Sequence, residues 1–227
     1  MKIHRQLAKL TRPETYRRGW RRAQRSIFRL PFGPVLEQVD QKRLQEIQER
    51  YVGQKYADAD HWLRVNRERV QDLKLHLSRA QRVLDLGCGG GFFLFILKRF
   101  NHSVLGLDLD ESPLFRELLK VFGVPRTVFR IEPFQKLPDF QESFDWITAF
   151  SIGFDRDPAS KVRWGPREWD FFLHDAQSRL APGGKIYLTL NPLPNGEYWT
   201  QELHDFFRSR GAAIERERIF FKNGVRS

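Results

Sequence analysis

The stretch that most constrains this chain runs from Arg82 to Lys98, RVLDLGCGGGFFLFILK. Arg82–Leu86 is a short apolar strand, and a helix follows over Gly91–Phe100. Between them glycine takes every second position, at Gly87, Gly89 and Gly91, behind an aspartate, Asp85. Glycine tolerates the left-handed conformations that a tight strand-to-helix turn demands. A strand feeding a helix through such a turn is the beginning of an alternating α/β chain.

The rest of the sequence continues the alternation. Ser103–Asp108 is a second strand. Ser112 and Pro113 cap and open a helix over Leu114–Phe122, which Gly123 stops. Thr127–Ile131, Phe144–Phe150 and Lys185–Leu190 are strands; Arg167–Leu180 and Trp199–Arg210 are helices, the second closed by Gly211. Ala212–Phe221 is a last strand or a short hairpin. The expected fold over residues 81–227 is α/β, a Rossmann-like, mostly parallel sheet with helices on both faces and an N-terminal helical extension. Residues 35–80 carry two helices, about Leu36–Tyr51 and Asp60–Leu77, read as a helical lid or cap. In open parallel sheets the ligand sits at the carboxyl ends of the strands, where the glycine turn lies.

Several nucleotide sites use glycine turns, and the residues here discriminate among them. An NTP-binding P-loop ends in Gly-Lys-Ser or Gly-Lys-Thr, and no such pair follows these glycines. The dinucleotide fingerprint G-x-G-x-x-G, started at Gly87, would need glycine where Phe92 stands. Asp85 discriminates further. A carboxylate at the end of the first strand repels a pyrophosphate and attracts a cation. Asp108 closes the second strand 21 residues after Gly87, the separation at which an acid binds ribose hydroxyls. Asp110 is a weaker rival for that role. A nucleoside with an ammonium and a sulfonium, and no phosphate, is S-adenosylmethionine.

VLDLGCGGG, then VLGLDLDE, then KLP before FDWITAF, then LAPGGKIYL resemble the successive motifs of the class I S-adenosylmethionine-dependent methyltransferases, across about residues 80–191. RIEPFQKLP, SFDWITAF and EWDFFL are also similar to a group of small bacterial methyltransferases. The resemblance implies that Asp85 and the backbone of Gly87, Cys88 and Gly89 line the methionine part of the cofactor, with Gly91 permitting close approach at the helix start. It implies Asp108 at the ribose, Leu109 beside the adenine, Pro133 and Phe134 as an apolar adenine wall, and Phe150 and Ser151 facing the sulfonium. Leu180 to Gly184 is then a structural turn. Two departures stand out. Phe150-Ser151-Ile152-Gly153 replaces the Asn- or Asp-Pro-Pro-aromatic motif of enzymes acting on DNA bases or glutamine amides. The closing hairpin is expected to be short or truncated.

Methyl transfer from a sulfonium depends chiefly on holding donor and acceptor in line, so no dedicated catalytic residue is expected from the sequence. The acceptor region is placed at Ile152–Glu168 and Asn191–Glu197, with Asp155, Trp164, Trp169 and Asn191 as candidate substrate contacts. Trp164 and Trp169 stack on a ring or sugar, or, for Trp169, pack in the core. Asp155 is a base or a solvated loop acid. Tyr56 and His61 are candidate lid residues over the cofactor, and His174 is structural. A nicotinamide oxidoreductase of the same sheet type and a catalytically silent S-adenosylmethionine-binding protein are the rival readings.

Charge singles out residues 1–34. They hold ten Lys/Arg and one acid, Glu14, a net of +9, which leaves +2 of the whole-chain +11 for residues 35–227. Tyr16, Trp20, Ala23, Ile27 and Leu30 form one helical stripe among the arginines. Such a basic amphipathic tail suits an anionic membrane surface, a polyanion, packing on its own domain, or an organellar address. The mild charge of the rest favours a small-molecule, glycan or lipid-headgroup acceptor over nucleic acid. Cys88 is the single cysteine, so no disulfide framework and no cysteine-based metal cluster is expected, and no metal. The longest apolar run, Phe92–Leu97, is far short of the ~20 residues of a membrane span. The expected location is the cytoplasm, with peripheral membrane contact through the tail.

Overall fold

The computed structural model describes residues 19–20, 23–27, 30, 33–37, 39–156, 162–222 and 224–225. Strands β1 (Arg82–Leu86), β2 (Ser103–Asp108), β3 (Arg126–Val128), β4 (Phe144–Ile152), β5 (Leu180–Leu190), β6 (Ala213–Glu215) and β7 (Arg218–Phe221) form a seven-stranded sheet in the order β3-β2-β1-β4-β5-β7-β6. The first five run parallel, and β7 is antiparallel to both β5 and β6. Helices α1 (Gln41–Arg50), α2 (Ala59–Asp72), α3 (Phe92–Lys98), α4 (Pro113–Phe122), α5 (Pro166–Ser178) and α6 (Gln201–Ser209) surround it. The expected mostly parallel α/β sheet is borne out.

Strand periodicity assigns the two faces. Val83 of β1 enters one buried cluster with α1–α4, whereas Leu84 and Leu86 enter a second with α5 and α6. Asp85 shares the parity of Val83 and therefore faces the α2–α3 side. On β4, Trp146 and Phe150 share that side, and Thr148 stands opposite Asp85 in register. The strand order reverses between β2-β1 and β1-β4, which opens a crevice beyond the carboxyl ends of β1 and β4.

Local chemistry sets the helix ends. Asp40, Asp58, Ser112 and Thr200 each accept a backbone N–H in the first turn of α1, α2, α4 and α6. Gly91 caps the start of α3 at φ +77°, and a Cβ there would lie 2.7 Å from Leu119 Cδ2 of α4. This glycine is needed for both its conformation and its lack of bulk. Helix α2 buries Leu63 and Val70 completely, facing α3, and each such side chain stabilises the packing by about 1.5–3 kcal/mol relative to exposure.

Four expectations shift. The helix read over Leu36–Tyr51 is a short turn, Gly33–Leu36, and then α1, because Asp40 starts a new cap. The helix read to Leu77 ends at Asp72; Lys74 at φ +56° breaks it, and Leu75–Leu77 is a 3₁₀ turn. The closing hairpin is short, but β6 and β7 are both paired and complete the sheet. Leu180 to Gly184, expected as a turn ahead of a strand at Lys185–Leu190, instead belongs to β5 as an irregularity, since Phe144 pairs with Leu180 and Trp146 with Lys185.

The basic tail, residues 1–34, lies largely outside the described residues. Within its described part, Arg25 donates to both Asp72 carboxylate oxygens, at 2.7 and 2.8 Å, and contacts Glu68 on α2. Leu30 is buried, whereas Trp20 and Ile27 are 66% and 73% exposed. Among the described residues no helix is long and apolar enough to cross a membrane.

Candidate functional site

A cavity of about 890 Å³ opens at the crevice. That is ample for a nucleoside-sized ligand and a second small molecule. Its floor is the glycine turn: Gly87, Cys88, Gly89 and Gly90, with Asp85 beneath and Asp108 beside.

Asp108 organises that floor. Its two carboxylate oxygens accept the backbone N–H groups of Gly89, at 2.5 Å, and Leu109, at 2.7 Å. Gly89 adopts φ +55°, the left-handed region that glycine occupies without strain. Burial lifts the Asp108 carboxyl above the usual carboxylate range, and the two N–H bonds oppose the lift. Asp110, the rival acid, is paired with Arg126 and with Arg116 instead. Arg126 also donates to Leu109 O at 2.9 Å, fastening the loop after β2.

Asp85 is only 3% exposed and accepts a hydrogen bond from the Thr148 hydroxyl, at 2.7 Å. Burial pushes its carboxyl up to about 7. Arg69 of α2 faces it across the cavity. The guanidinium lies 4.4 Å over the Phe150 ring, donates to Asn66 Oδ1 at 3.0 Å, and favours the ionised Asp85. Neither group makes a close ion pair with the other, and both line the cavity.

The β4 end is built by a bulge. Ala149 pairs with Leu188 and Ile152 with Leu190, so β4 carries one extra residue. Ser151 takes φ +53° there, and its N–H donates to Thr189 Oγ1 at 2.7 Å. Asn191 Nδ2 then donates to Ser151 O at 2.8 Å and Ile152 O at 2.9 Å. This turns Phe150, Ser151 and Asn191 toward the cavity, which they line.

Asp85, Gly87, Cys88, Gly89, Asp108, Leu109, Pro133, Phe150, Ser151 and Asn191 thus come together around one space. Five candidates do not. Gly91 packs against Leu119 and Val124, and Gly90 takes the cavity wall in its place. Phe134 sits at φ +58°, is half exposed, and points away to Phe171, 5.9 Å between ring centroids. Trp164 and Trp169 are buried with Phe154, Phe172 and Phe207, closed to a substrate ring. Asp155 is not a solvated loop acid and does not line the cavity: it is 1% exposed, 3.7 Å from Arg163, with its carboxyl pushed up by burial. Of the two lid candidates Tyr56 lines the cavity, while His61 is exposed beside Trp62.

Sequence reasoning missed Lys55, Trp62, Arg69 and Arg156 on the walls. Arg69 had a signal: it interrupts the side of α2 that also carries Trp62, Val65 and Leu73, and a cation inside an apolar stripe needs a reason. Arg156 lies within the loop placed at the acceptor, Ile152–Glu168, but was not singled out there.

Residues 77–208, more than half of the chain, match the family described as methyltransferase domain. The chain belongs to the methyltransferase domain family. The chain is 27% identical over 135 residues to a ubiquinone biosynthesis O-methyltransferase of Stutzerimonas stutzeri, covering 57% of the chain and 53% of that protein. It is 32% identical over 120 residues to the protein so named in Pseudomonas aeruginosa (strain LESB58), covering 51% and 47%. The chain thus spans about half the length of these curated relatives. Among solved structures it resembles CalS10, an amino pentose methyltransferase from Micromonospora echinaspora, with 24% identity, TM-score 0.42, and 67% and 58% of the two chains covered. The glycopeptide N-methyltransferase MtfA aligns at 15% identity and TM-score 0.47, covering 73% and 90%.

Proposed function

We propose that this methyltransferase holds S-adenosylmethionine in the cavity and delivers the methyl group to an acceptor bound beside it. The carrying observation is the charge pattern of the floor: two carboxylates, Asp85 and Asp108, frame the glycine turn, and no lysine stands there to meet a phosphate. The donor, when bound, supplies a methyl group on a cationic sulfur.

In this reading Asp85 takes the donor's ammonium and Arg69 its carboxylate, the two opposite charges lining one cavity as a zwitterion requires. Asp108 keeps free lone pairs on both oxygens after accepting Gly89 and Leu109, enough for two ribose hydroxyls. Leu109 and Pro133 flank the base. Phe150 and Ser151 hold the reacting end toward Asn191 and Trp62, and catalysis comes from alignment and exclusion of water. The curated relatives, named for ubiquinone biosynthesis, support a small-molecule acceptor; a glycan or a lipid headgroup fits the same space.

Titration calorimetry with S-adenosylmethionine and with NAD tests the donor. S-adenosylmethionine is expected to bind, NAD not, and Asp108→Ala is expected to weaken the donor about tenfold or more through lost ribose hydrogen bonds. Unchanged binding in Asp108→Ala overturns the assignment. Bound donor without transfer across a broad acceptor library would favour the catalytically silent reading.

For the tail, Trp20 and Ile27 stand exposed on one stripe among arginines, which supports contact with an anionic membrane surface and a peripheral cytoplasmic location.

A further inference from the structure

The acceptor side of the cavity is cationic beyond what the donor uses. Lys55, Arg69, Arg130 and Arg156 line the cavity. Arg130 is committed to Glu111, at 2.5 Å. Arg69 faces Asp85 and is assigned above to the donor's carboxylate. Lys55 and Arg156 remain, and neither makes an ion pair with a carboxylate among the described residues. Lys55 Nζ instead lies 5.1 Å and 5.6 Å over the rings of Tyr56 and Trp62. Arg156 uses Nη2 on Pro192 O, at 3.2 Å, while its Nε is shielded from water and makes no hydrogen bond. The adjacent acid, Asp155, is turned inward to Arg163.

A half-buried guanidinium whose Nε is shielded from water without a partner carries a desolvation cost that an oxyanion offsets. With the donor bound, Asp85 and Asp108 balance Arg69 and the donor's net positive charge, and the charge of Lys55 and Arg156 is left for the acceptor. The remaining walls of this half are ring faces: Tyr56 and Trp62, 4.6 Å apart between centroids, with Phe150 and Phe154. They suit a flat or apolar body.

We propose that the acceptor is an anion, an apolar or ring body bearing a carboxylate or phosphate seated on Arg156, with Lys55 at the rim drawing it in. This rests on the reading of the cavity as a methyl-transfer site and narrows its substrate class. Arg156 is then a specificity-determining residue of the acceptor half, held in aim by Pro192.

Competing probes test it on the full chain, with and without S-adenosylhomocysteine. Phenylacetate and phenyl phosphate are titrated against neutral phenylacetamide, in the wild type, Arg156→Gln and Arg156→Lys. At least one anion is expected to bind about tenfold tighter than the amide, the worth of one charge-assisted contact. That preference should vanish in Arg156→Gln and largely return in Arg156→Lys, with affinity for S-adenosylhomocysteine preserved in both as proof of folding. Whichever anion binds tighter assigns carboxylate or phosphate. Equal affinity for amide and anions, no anion binding at millimolar concentration, or a preference that survives Arg156→Gln overturns the proposal. Loss of donor binding with the anion preference intact would instead sink the donor assignment alone.

Discussion

Asp85 carries a definite pH signature. Its folded pKa, about 7, lies well above the range of an unfolded aspartate, so the protonated form favours the ligand-free fold. That contribution is complete below the unfolded value, about 4, and is lost as pH rises through about 7. Donor binding runs the other way, because the ammonium needs the carboxylate. S-adenosylmethionine affinity is expected to strengthen as pH rises through about 7, and Asp85→Asn to be weak and flat across the same range. Calorimetry across pH checks the first trend and thermal melts of the ligand-free chain the second. Parallel, pH-dependent curves for wild type and Asp85→Asn would exclude Asp85 as the source. The aspartate was readable because a charged residue closing an apolar strand is conspicuous. Its partner Thr148 was not, because only the β1–β4 register brings them together.

Between residues and fold, the glycine turn and the β4 bulge set the geometry. Gly91→Ala would place a methyl group 2.7 Å from Leu119 Cδ2 at a positive φ, joining overpacking to backbone strain. The expected cost is about 1–3 kcal/mol, read as a lower urea midpoint at unchanged slope. A neutral result would show that α4 yields freely at that contact. The bulge at Phe150 and Ser151 works differently. It sets Ser151 through an irregularity that alternation cannot encode, and so the sequence marked Ser151 only through the family resemblance. Phe134 shows the converse, a residue of the right type in the right loop turned outward by its own backbone.

On the scale of the whole molecule, two layers meet over the cavity. Helix α2 brings Asn66 and Arg69 from one side, β1 and β4 bring Asp85 and Phe150 from the other, and Asp72 ties the end of α2 to Arg218 of β7 at 3.1 Å and to Arg25. The exposed tail stripe belongs to this scale too. Trp20→Glu is expected to lower cosedimentation of the full chain with phosphatidylserine vesicles while neutral vesicles bind neither form. Equal sedimentation of variant and wild type would remove the membrane reading and leave the exposed Trp20 to another partner.

By itself the sequence determined the α/β alternation, the parallel core, the glycine turn and the acids that frame it. These depend on periodicity and on neighbours a few residues apart, which a chain displays directly. The tertiary structure decided which candidates share a space. It buried Trp164 and Trp169, turned Asp155 onto Arg163, and delivered Arg69 and Arg156 from separate elements to one cavity. A charge's meaning depends on what it faces and how much water remains, and both are set only when distant segments pack.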